Sequence, residues 1–323
     1  MAVIGMDLGG TKLSAAIFSN DGVILKERNT LLQGKSGEQA GDLITGEALK
    51  LFETYSDIRD VIISIGICVP GIYHASTGRV WAPNIPGWED FPLRHKLREV
   101  FDRKNIEISI DSDRACYILG ETWKGTARNC RNAIFLSVGT GIGAGILCDG
   151  RIIRGHSDIA GAVGWLAMKP EFNLKYSSCG FFEYHTSGEG LIKMANQYAA
   201  SENPGSTTVT GDKQPSGKPF STTREVFGAY EKGNTASVRA IDEAIVYWGM
   251  TAANLVSIFN PEVIVFGGGV FGPASRFLKR IREEAEKWAQ PISISQVRFE
   301  TTSLGGGAGL AGAGRLALMA GES

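Results

Sequence analysis

The stretch VIGMDLGGTKLSAAIFSNDGVIL, residues 3–25, decides how this chain is read. Residues 3–9 are typical of an apolar strand that runs into a glycine loop, and residues 12–18 of a second apolar strand. Asn20-Asp21-Gly22 is a strong hairpin-turn signal, so a third strand is expected to follow. A nucleotide-phosphate loop usually leads into a helix. Here it leads into a strand, and a carboxylate, Asp7, stands next to it.

The same pattern recurs at AIFLSVGTGIGAGILCDGRII, residues 133–153. It again reads as strand, glycine loop, strand, Asp-Gly turn and strand, and SNDGVIL and LCDGRII match at the turn. This repetition indicates an internal duplication in which each half begins with a hairpin. The alternative is that two similar hairpins arose separately.

The bulk composition excludes several classes of protein. The 323 residues suit two lobes of ordinary size, and the net charge of −1 offers no broad basic surface for nucleic acid or an anionic membrane. Neither a signal peptide nor a membrane-spanning run of about 18 apolar residues is expected. Five scattered cysteines without a C-x-x-C pair indicate reduced thiols in a cytoplasmic protein: Cys68, Cys116, Cys130, Cys148 and Cys179.

Helices and strands alternate along the rest of the chain, which indicates an α/β protein. Helical spacing or helix signals occur at 36–55, 114–124, 222–232, 235–259 and 273–289, and buried strands are expected at 61–69 and 106–111. Residues 200–222 are polar and rich in Gly, Pro, Ser and Thr, so a mobile surface loop is expected there.

The glycine loops are suited to phosphate, because backbone N–H groups can approach phosphate oxygens where no Cβ intervenes. A Walker A motif is disfavoured: NTLLQGKS has Asn29 where the first glycine belongs, and no strand is expected before it. A Rossmann loop is disfavoured, because a strand follows GTGIGAG. Two hairpin loops, one in each half, remain together with a third glycine loop at 267–269. The two hairpins would grip a polyphosphate from both sides; tight turns are the alternative.

Six motifs together resemble the ROK family of sugar kinases and repressors. They are DLGGTK (7–12), VPG (69–71), PNIPGW (83–88), SD (112–113) with LGE (119–121), GTGIGAGI (139–146) and NPEVIVFGGG (260–269). The resemblance runs from residue 3 to about 318, and it implies a two-lobed, actin-like ATPase fold with a ribonuclease-H-like mixed sheet in each lobe and a central cleft. The implied small lobe is 1–114 plus a C-terminal helix at 307–323, and the larger lobe is 115–306.

The resemblance also implies where ATP binds. The phosphates would lie between two loops, with adenine near a third; the residues are Gly9, Gly10, Thr11 and Lys12, then Gly139, Thr140, Gly141 and Gly143, then Gly267, Gly268 and Gly269. Asp7 would hold Mg²⁺ through a water, since Mg²⁺ prefers octahedral oxygen and keeps several waters. A turn-forming aspartate is the alternative for Asp7.

By the same resemblance Asp113 is the catalytic base, because it stands eight residues before Glu121, the family's spacing. Asp111 competes but lies two residues off that register, and either residue would also suit a helix N-cap. The implied sugar-binding residues are Gly71, Asn84, Ser112, Asp113, Trp165 and Glu183.

Several residues around the implied sugar-binding site differ from those that are usual in the family. Ser112 replaces the usual Asn, Ala162 replaces a carboxylate, and Trp165 replaces a histidine that touches sugar and ligates zinc. The cysteine-rich zinc loop is reduced to SSCGFFE, with Phe181 at a ligand position, so zinc is not expected. Glucose and N-acetylmannosamine become doubtful substrates. Trp165 would either stack on a sugar or fill the vacated zinc space, and the second reading is preferred.

The leading hypothesis is an ATP- and Mg²⁺-dependent sugar kinase, a cytoplasmic homodimer that binds a small sugar and ATP but neither nucleic acid nor membrane. The alternative is a catalytically weak or inactive ROK sugar sensor without a DNA-binding domain, because the phosphate loop begins near residue 3. A non-kinase ATPase of the same fold, such as a chaperone or acyl kinase, is disfavoured by VPG and PNIPGW.

Overall fold

The computed structural model describes residues 1–55, 62–102, 105–202 and 219–321. The strands are β1 (Ala2–Leu8), β2 (Lys12–Ser19), β3 (Ile24–Leu31), β4 (Ile62–Val69), β5 (Ile72–His74), β6 (Arg79–Trp81), β7 (Glu107–Ser112), β8 (Ala133–Val138), β9 (Ile142–Cys148), β10 (Arg151–Ile152), β11 (Val263–Gly267) and β12 (Arg298–Thr301). The helices are α1 (Gly37–Tyr55), α2 (Leu93–Phe101), α3 (Asp113–Trp123), α4 (Phe181–Thr186), α5 (Gly188–Glu202), α6 (Thr223–Glu231), α7 (Thr235–Phe259), α8 (Leu278–Glu286), α9 (Pro291–Gln296) and α10 (Ala308–Gly321). Most of the loop expected at 200–222 lies outside the described residues.

Two five-stranded sheets organise the chain. The first has the order β3-β2-β1-β4-β7, with an antiparallel β1–β2–β3 meander and parallel pairing of β1, β4 and β7. The second has the order β10-β9-β8-β11-β12, again with an antiparallel hairpin pair at one edge and a parallel pair at the other. The two sheets thus repeat one design, as the matching hairpins predict. No helix in the described part of the chain is long and apolar enough to cross a membrane.

The chain divides into two compact units. The first unit is Met1–Phe135, Gly145–Gly161 and Thr302–Ser323, and the second is Leu136–Ala144 and Ala162–Thr301. This division differs from the expected lobes, 1–114 plus 307–323 and 115–306, because α3 packs on α10 and so joins the first unit. Which boundary separates moving lobes stays a prediction.

The first sheet is covered on both faces. Along β1 the alternate residues Ile4, Met6 and Leu8 join a large apolar core with α1 and α2. The intervening residues point to the opposite face, where α10 lies across β1, β4 and β7 and also packs on α3. This two-residue period of a strand puts Asp7 on the α10 face.

Helix α10 approaches the sheet closely because the facing residues are small. A Cβ added at Gly66 of β4 would lie 2.0 Å from the Ala313 carbonyl oxygen of α10. The helix is equally close to α3, since a Cβ added at Gly312 would lie 1.8 Å from the Cys116 carbonyl oxygen. The Ser64 hydroxyl donates to the Ala317 carbonyl at 2.7 Å. Glycine at these positions is therefore required by close approach of one backbone to another.

The second unit is built around the long helix α7, which packs against α5, α6 and α8. Asn234 caps its start by accepting from the Ser237 N–H, and Asn260 ends it in the left-handed conformation. The chain that returns after residue 218 is held by Asn196, whose side-chain amide bonds both the N–H and the carbonyl of Phe220.

One expectation about the GKS segment is corrected. Strand β3 continues to Leu31, so a strand does precede Gly34-Lys35-Ser36, contrary to the expectation. Asn29 lies inside that strand, paired with Ser14, so the first glycine of a Walker A loop is still missing. The elements β5, β6, α2, α4, α5, α9 and β12 were not predicted. All of them except α5 are short, and a short element carries little periodicity.

The α10 packing predicts the effect of one methyl group. Gly312→Ala should lower the free energy of unfolding by about 1–3 kcal/mol, the usual cost of overpacking, because its Cβ collides with backbone. Chemical denaturation measures this. The matched control is Gly46→Ala inside α1, where a Cβ meets nothing within 4 Å and should stabilise by about 0.5–1 kcal/mol. Equal effects of the two substitutions would contradict the packing argument.

Candidate functional site

Three polar side chains lie in one row across the parallel strands of the first sheet. Asp7 of β1 is in register with Cys68 of β4, and Cys68 is in register with Asp111 of β7. Residues in register on parallel strands share a face, so all three point to the α10 side. The row lies at the carboxyl ends of the strands, where ligands bind in open α/β sheets.

Asp113 begins α3 directly after this row. Ser112 is the N-cap, and its hydroxyl oxygen accepts from the Ala115 N–H at 3.4 Å. The Asp113 carboxylate accepts from the Arg114 backbone N–H at 2.8 Å. Burial, with a smaller contribution from the charge of Asp7, raises the pKa of Asp113 to about 6 against the lowering effect of Arg114. A carboxylate with this pKa accepts protons close to neutral pH.

Asp111 is a structural partner of the same segment. Its Oδ2 accepts from Arg154 Nε at 2.9 Å and from Arg154 Nη2 at 2.5 Å, and its Oδ1 accepts from the Ser112 N–H at 2.8 Å. Burial raises the pKa of Asp111 even though Arg154 opposes that rise. Asp111 is buried, Arg154 is half-exposed, and Asp111 holds both Arg154 and the Ser112 N–H. A substitution at Asp111 would therefore disturb the segment that carries Asp113, so it is not a neutral control for a substitution at Asp113.

Asp7 lies against the first turn of α10. A Cβ built on Gly309 would lie 2.6 Å from the Asp7 carboxylate, so only glycine leaves room for it. Burial raises the pKa of Asp7, while a hydrogen bond from the Cys68 thiol and the charge of Lys12 lower it. The acid is therefore held beside a helix start, where backbone N–H groups favour negative charge.

The loop after Asp7 is open at its tip. The Gly9 N–H donates to the Lys12 carbonyl at 2.9 Å, which closes the turn, while Gly10, Thr11 and Lys12 are exposed. The atom nearest to a Cβ built on Gly10 is Nδ2 of Asn84, at 3.8 Å. The structure thus brings the predicted sugar residue Asn84 to the predicted phosphate loop.

Asn84 and Gly71 are presented by neighbouring backbone. Asn84 is exposed on a turn whose flanks are buried: Ala82 N–H donates to the Trp88 carbonyl at 2.7 Å, and the Trp88 indole donates to the Gly37 carbonyl at 3.0 Å. Gly71 has φ of +103° and lies against the Trp81 carbonyl, so it turns the chain into this segment.

In the second unit, Glu183 holds the other glycine loop. Its Oε2 accepts from the Ile142 N–H at 2.6 Å, and its carboxylate lies 3.0 Å from a Cβ built on Gly141. It also contacts Gly164 of the AGAVGW segment. Burial raises the pKa of Glu183 despite the Ile142 N–H. One oxygen thus positions the loop, and Oε1 has no partner among the described residues.

The rest of that loop is open. The Gly139 N–H donates to the Gly141 carbonyl at 2.9 Å, and the Gly139 carbonyl accepts from Gly188 N–H at 2.7 Å at the start of α5. The nearest atom to a Cβ built on Gly139 is 4.0 Å away. Thr140 is exposed in the turn, and Gly143 is the second residue of β9. In the third loop Gly267 is buried at the end of β11, whereas Gly268 and Gly269 are exposed.

An aromatic cluster surrounds Phe181, the residue that replaces a zinc ligand in the family resemblance. Phe181 stacks on His185 with ring centroids 4.5 Å apart and contacts Tyr176 and Tyr247. The Tyr176 hydroxyl lies 3.2 Å from His185 Nε2. Burial lowers the pKa of His185 to about 4, so the ring is neutral at pH 7. Within the described ranges, no group of three or more His, Cys, Asp or Glu is arranged to hold a metal ion.

Trp165 does not fill that interior space. It ends a short 3₁₀ turn and is 57% exposed, so the preferred expectation is not supported by its position. Phe181 and its aromatic neighbours occupy the interior space instead. Trp165 therefore presents an apolar ring at the surface of the second unit.

Three interacting residues of the first unit were not predicted from the sequence. Arg154 pairs with Asp111, Asp158 accepts from the Ala75 N–H at 3.0 Å, and Arg114 donates to the Ile159 carbonyl at 3.5 Å. They connect residues 153–161 to β7, to α3 and to Ala75, which directly follows β5. No motif marks them, because each acts through a partner distant in sequence.

Comparison with known proteins decides the family. The sequence profile described as "ROK family" matches residues 3–320. The chain belongs to the ROK family. A ROK relative, the glucokinase of Halalkalibacterium halodurans, is 31% identical over 320 residues, which is 97% of this chain and 94% of that protein. The xylose repressor of Caldicellulosiruptor bescii is 29% identical over 94% of this chain and 74% of its own length.

Solved ROK structures confirm the fold class. The ROK hexokinase of Thermus thermophilus has a TM-score of 0.79 at 28% identity, over 99% of this chain and 98% of that one. The ROK glucokinase of Streptomyces griseus, solved with glucose and AMPPNP, has a TM-score of 0.71 at 27% identity, over 99% of this chain and all of that one. The predicted actin-like, two-lobed α/β fold is correct for this ROK chain.

The raised pKa of Asp113 predicts a stability effect with a definite sign. The folded protein keeps this proton up to about pH 6, whereas the ordinary value is 3.8, so the stabilisation is complete below pH 3.8 and lost as pH rises through 6. Asp113→Asn cannot ionise. At pH 8 it should raise the free energy of unfolding by about 1–3 kcal/mol, and the gain should vanish below pH 4.

Urea denaturation at several pH values measures this difference. Asp42→Asn is the control, because Asp42 is an exposed partner of Lys96 and its loss removes no buried charge. A variant at Asp113 that is less stable than wild type at pH 8 would contradict the buried-charge account.

Proposed function

We propose that this protein transfers the γ-phosphoryl group of ATP, with Mg²⁺, to a hydroxyl of a small sugar or sugar derivative. Its class is that of a carbohydrate kinase, a phosphotransferase with a hydroxyl acceptor, as its ROK membership and glucokinase relatives indicate. The observation that carries the proposal is Asp113, a carboxylate at the first turn of α3 with a pKa near 6 and a second acid beside it.

Asp113 would act as the general base. The acceptor hydroxyl must lose a proton as it attacks phosphorus, and a carboxylate poised near neutral pH accepts that proton effectively. Ser112 caps the helix that carries it, and the Asp111–Arg154 pair holds Ser112 through its backbone N–H. These contacts limit the motion of Asp113, which is what a positioned base requires.

The two hairpin loops would bind the phosphates. A Cβ built on Gly10 or Gly139 would meet no atom closer than 3.8 Å, so a phosphate oxygen has room to approach the backbone at both positions. Thr11 and Lys12 in one loop, and Thr140, Gly141 and Gly143 in the other, would complete these contacts. The exposed Gly268 and Gly269, which follow Gly267, are our proposed place for the adenine.

Asp7 would hold Mg²⁺ through a water. The charge of Asp7 raises the pKa of Asp113, so this region favours a cation, and carboxylate oxygen suits Mg²⁺. When bound, Mg²⁺ neutralises charge on the phosphates. Asp7 itself is fixed by the Cys68 thiol and by the limited space at Gly309.

The sugar would contact Gly71, Asn84, Ser112 and Glu183. The Oε1 atom of Glu183 has no partner among the described residues. Ala162 and Trp165 offer no hydrogen bond of the kind that a carboxylate and a histidine would make. A pocket that loses polar contacts prefers a ligand with fewer hydroxyls at those positions. We therefore propose a sugar or derivative other than glucose or N-acetylmannosamine, with Trp165 as a stacking face.

We also propose a cytoplasmic location, because all five cysteines are free thiols. The homodimer remains a prediction from the family resemblance. The second candidate function, a sugar sensor, is favoured only by the similarity to xylose repressors and by the altered sugar side.

An ADP-release assay over aldoses, ketoses, amino sugars and polyols tests the proposal. At least one sugar should stimulate ADP release, and Asp113→Asn should lower its turnover by about 10²- to 10⁴-fold, the usual contribution of a general base. Nucleotide affinity should barely change. Asp42→Asn, on the surface of the same unit, should keep wild-type turnover. Sugar binding without any ADP release would instead support the sensor.

The phosphate loop predicts a separate effect on nucleotide. Gly139→Ala should leave stability unchanged, because its Cβ has 4.0 Å of free space, yet it should weaken ATP binding by about tenfold by filling the space of a phosphate oxygen. Calorimetric titration with ATP and Mg²⁺ measures this. Gly141 is a poorer probe, since its Cβ meets Glu183 at 3.0 Å even without ligand. Unchanged ATP affinity in Gly139→Ala would refute this placement.

A further inference from the structure

A cavity of about 370 Å³ lies within the first unit, away from the proposed base. Its walls come from the C-terminal ends of α3 and α10 and from both Asp-Gly turns, the one at Asp21-Gly22 and the one at Asp149-Gly150. The two turns that mark the duplicated hairpins therefore meet the same cavity. Its volume is within the range of small-molecule sites.

Three cations line this cavity: Lys124, Arg128 and Arg315. Arg315 is half-buried and is the only charged residue of α10. Among the described residues the guanidinium groups of Arg128 and Arg315 have no ion pair or hydrogen bond, and the Lys124 ammonium donates to the Asp21 carbonyl. The helix ends favour nearby cations, but they leave these two guanidinium groups without an anionic partner.

One acid, Asp21, lines the cavity, and its carboxylate is already engaged. The Ser19 hydroxyl donates to Asp21 Oδ1 at 2.5 Å, and this bond holds the pKa of Asp21 below its usual value. The lining therefore carries an excess of two positive charges, counted as three cations against one acid. A dianion is the ligand charge that this excess matches.

The floor of the cavity is apolar. Leu119, Trp123, Leu147 and Met319 line it, and Trp123 is fixed against Phe18 with ring centroids 5.7 Å apart. Gly22, with φ of +78°, packs directly on Trp123 and Lys124, so the hairpin turn shapes the wall. An inorganic anion would make no use of this floor, whereas the body of an organic ester would.

We propose that this cavity binds a small organic phosphate monoester, with its phosphate on Arg128, Arg315 and Lys124 and its body on the apolar floor. Guanidinium groups match the oxygens of phosphate and of carboxylate bidentately. The excess of two positive charges favours a dianionic phosphate over a singly charged carboxylate. The site is separate from the proposed phosphate loops, and its ligand would contact the far ends of the helices that carry Asp113 and contact Asp7.

Calorimetric titration of the full chain, free of metal and nucleotide, tests this with two probes, glucose 6-phosphate and inorganic phosphate. Glucose 6-phosphate should bind and should change the fluorescence of Trp123, and the change should be absent in Trp123→Phe. Arg315→Gln and Arg128→Gln should each weaken binding about tenfold, the effect of one charge-assisted hydrogen bond. Because Arg128 is exposed, its variant gives a result even if Arg315→Gln fails to fold.

Arg224→Gln, an exposed arginine of α6, is the control and should bind like wild type. Equal affinity in wild type and in both cavity variants would overturn the site. Inorganic phosphate binding as tightly as glucose 6-phosphate would overturn the organic ester, because the apolar floor would then contribute nothing. A fluorescence change that persists in Trp123→Phe would also overturn it, since the ligand would lie elsewhere.

Discussion

The close contact between α10 and the first sheet is the constraint on which this structure depends. Backbone meets backbone where Gly66 of β4 faces α10, and again where Gly312 of α10 faces α3, so no side chain fits at either position. The same helix leaves room for the Asp7 carboxylate only because Gly309 has no Cβ. The helix also packs on α3, which begins with Asp113. One packing interface therefore sets the positions of both acids, so the chemistry of the site rests on a core contact.

That interface has an electrostatic cost. Two acids enter a region with little water, so the pKa of each rises, and the ionised form of Asp113 is disfavoured by the fold that holds it. Ionised Asp113 therefore lowers the free energy of unfolding at neutral pH, and a neutral side chain at this position would restore it. Residues that reduce stability while being firmly positioned are typical of functional sites.

The sequence predicted the elements whose formation depends on neighbouring residues. Both hairpins, the buried strand β4, the helix α7 and the motif residues follow from periodicity, turn chemistry and family resemblance. Three features depend on partners that are far away in sequence, and no spacing rule predicts such pairs. They are the ion pair of Arg154, the hydrogen bond from Ile142 to Glu183 and the aromatic packing of Phe181. The exposed position of Trp165 likewise follows from how Phe181 fills the interior.

The glycine content of α10 has a consequence for how the protein is made. Glycine lowers helix propensity by about 1 kcal/mol per residue, and α10 contains Gly309, Gly312, Gly314 and Gly321, so it gains stability mainly by docking. Its docking surface is β1, about 300 residues earlier in the chain. A growing chain must therefore hold an incomplete first sheet throughout synthesis, with one apolar face uncovered. Chaperone demand and aggregation during translation should accordingly concentrate on the N-terminal strands.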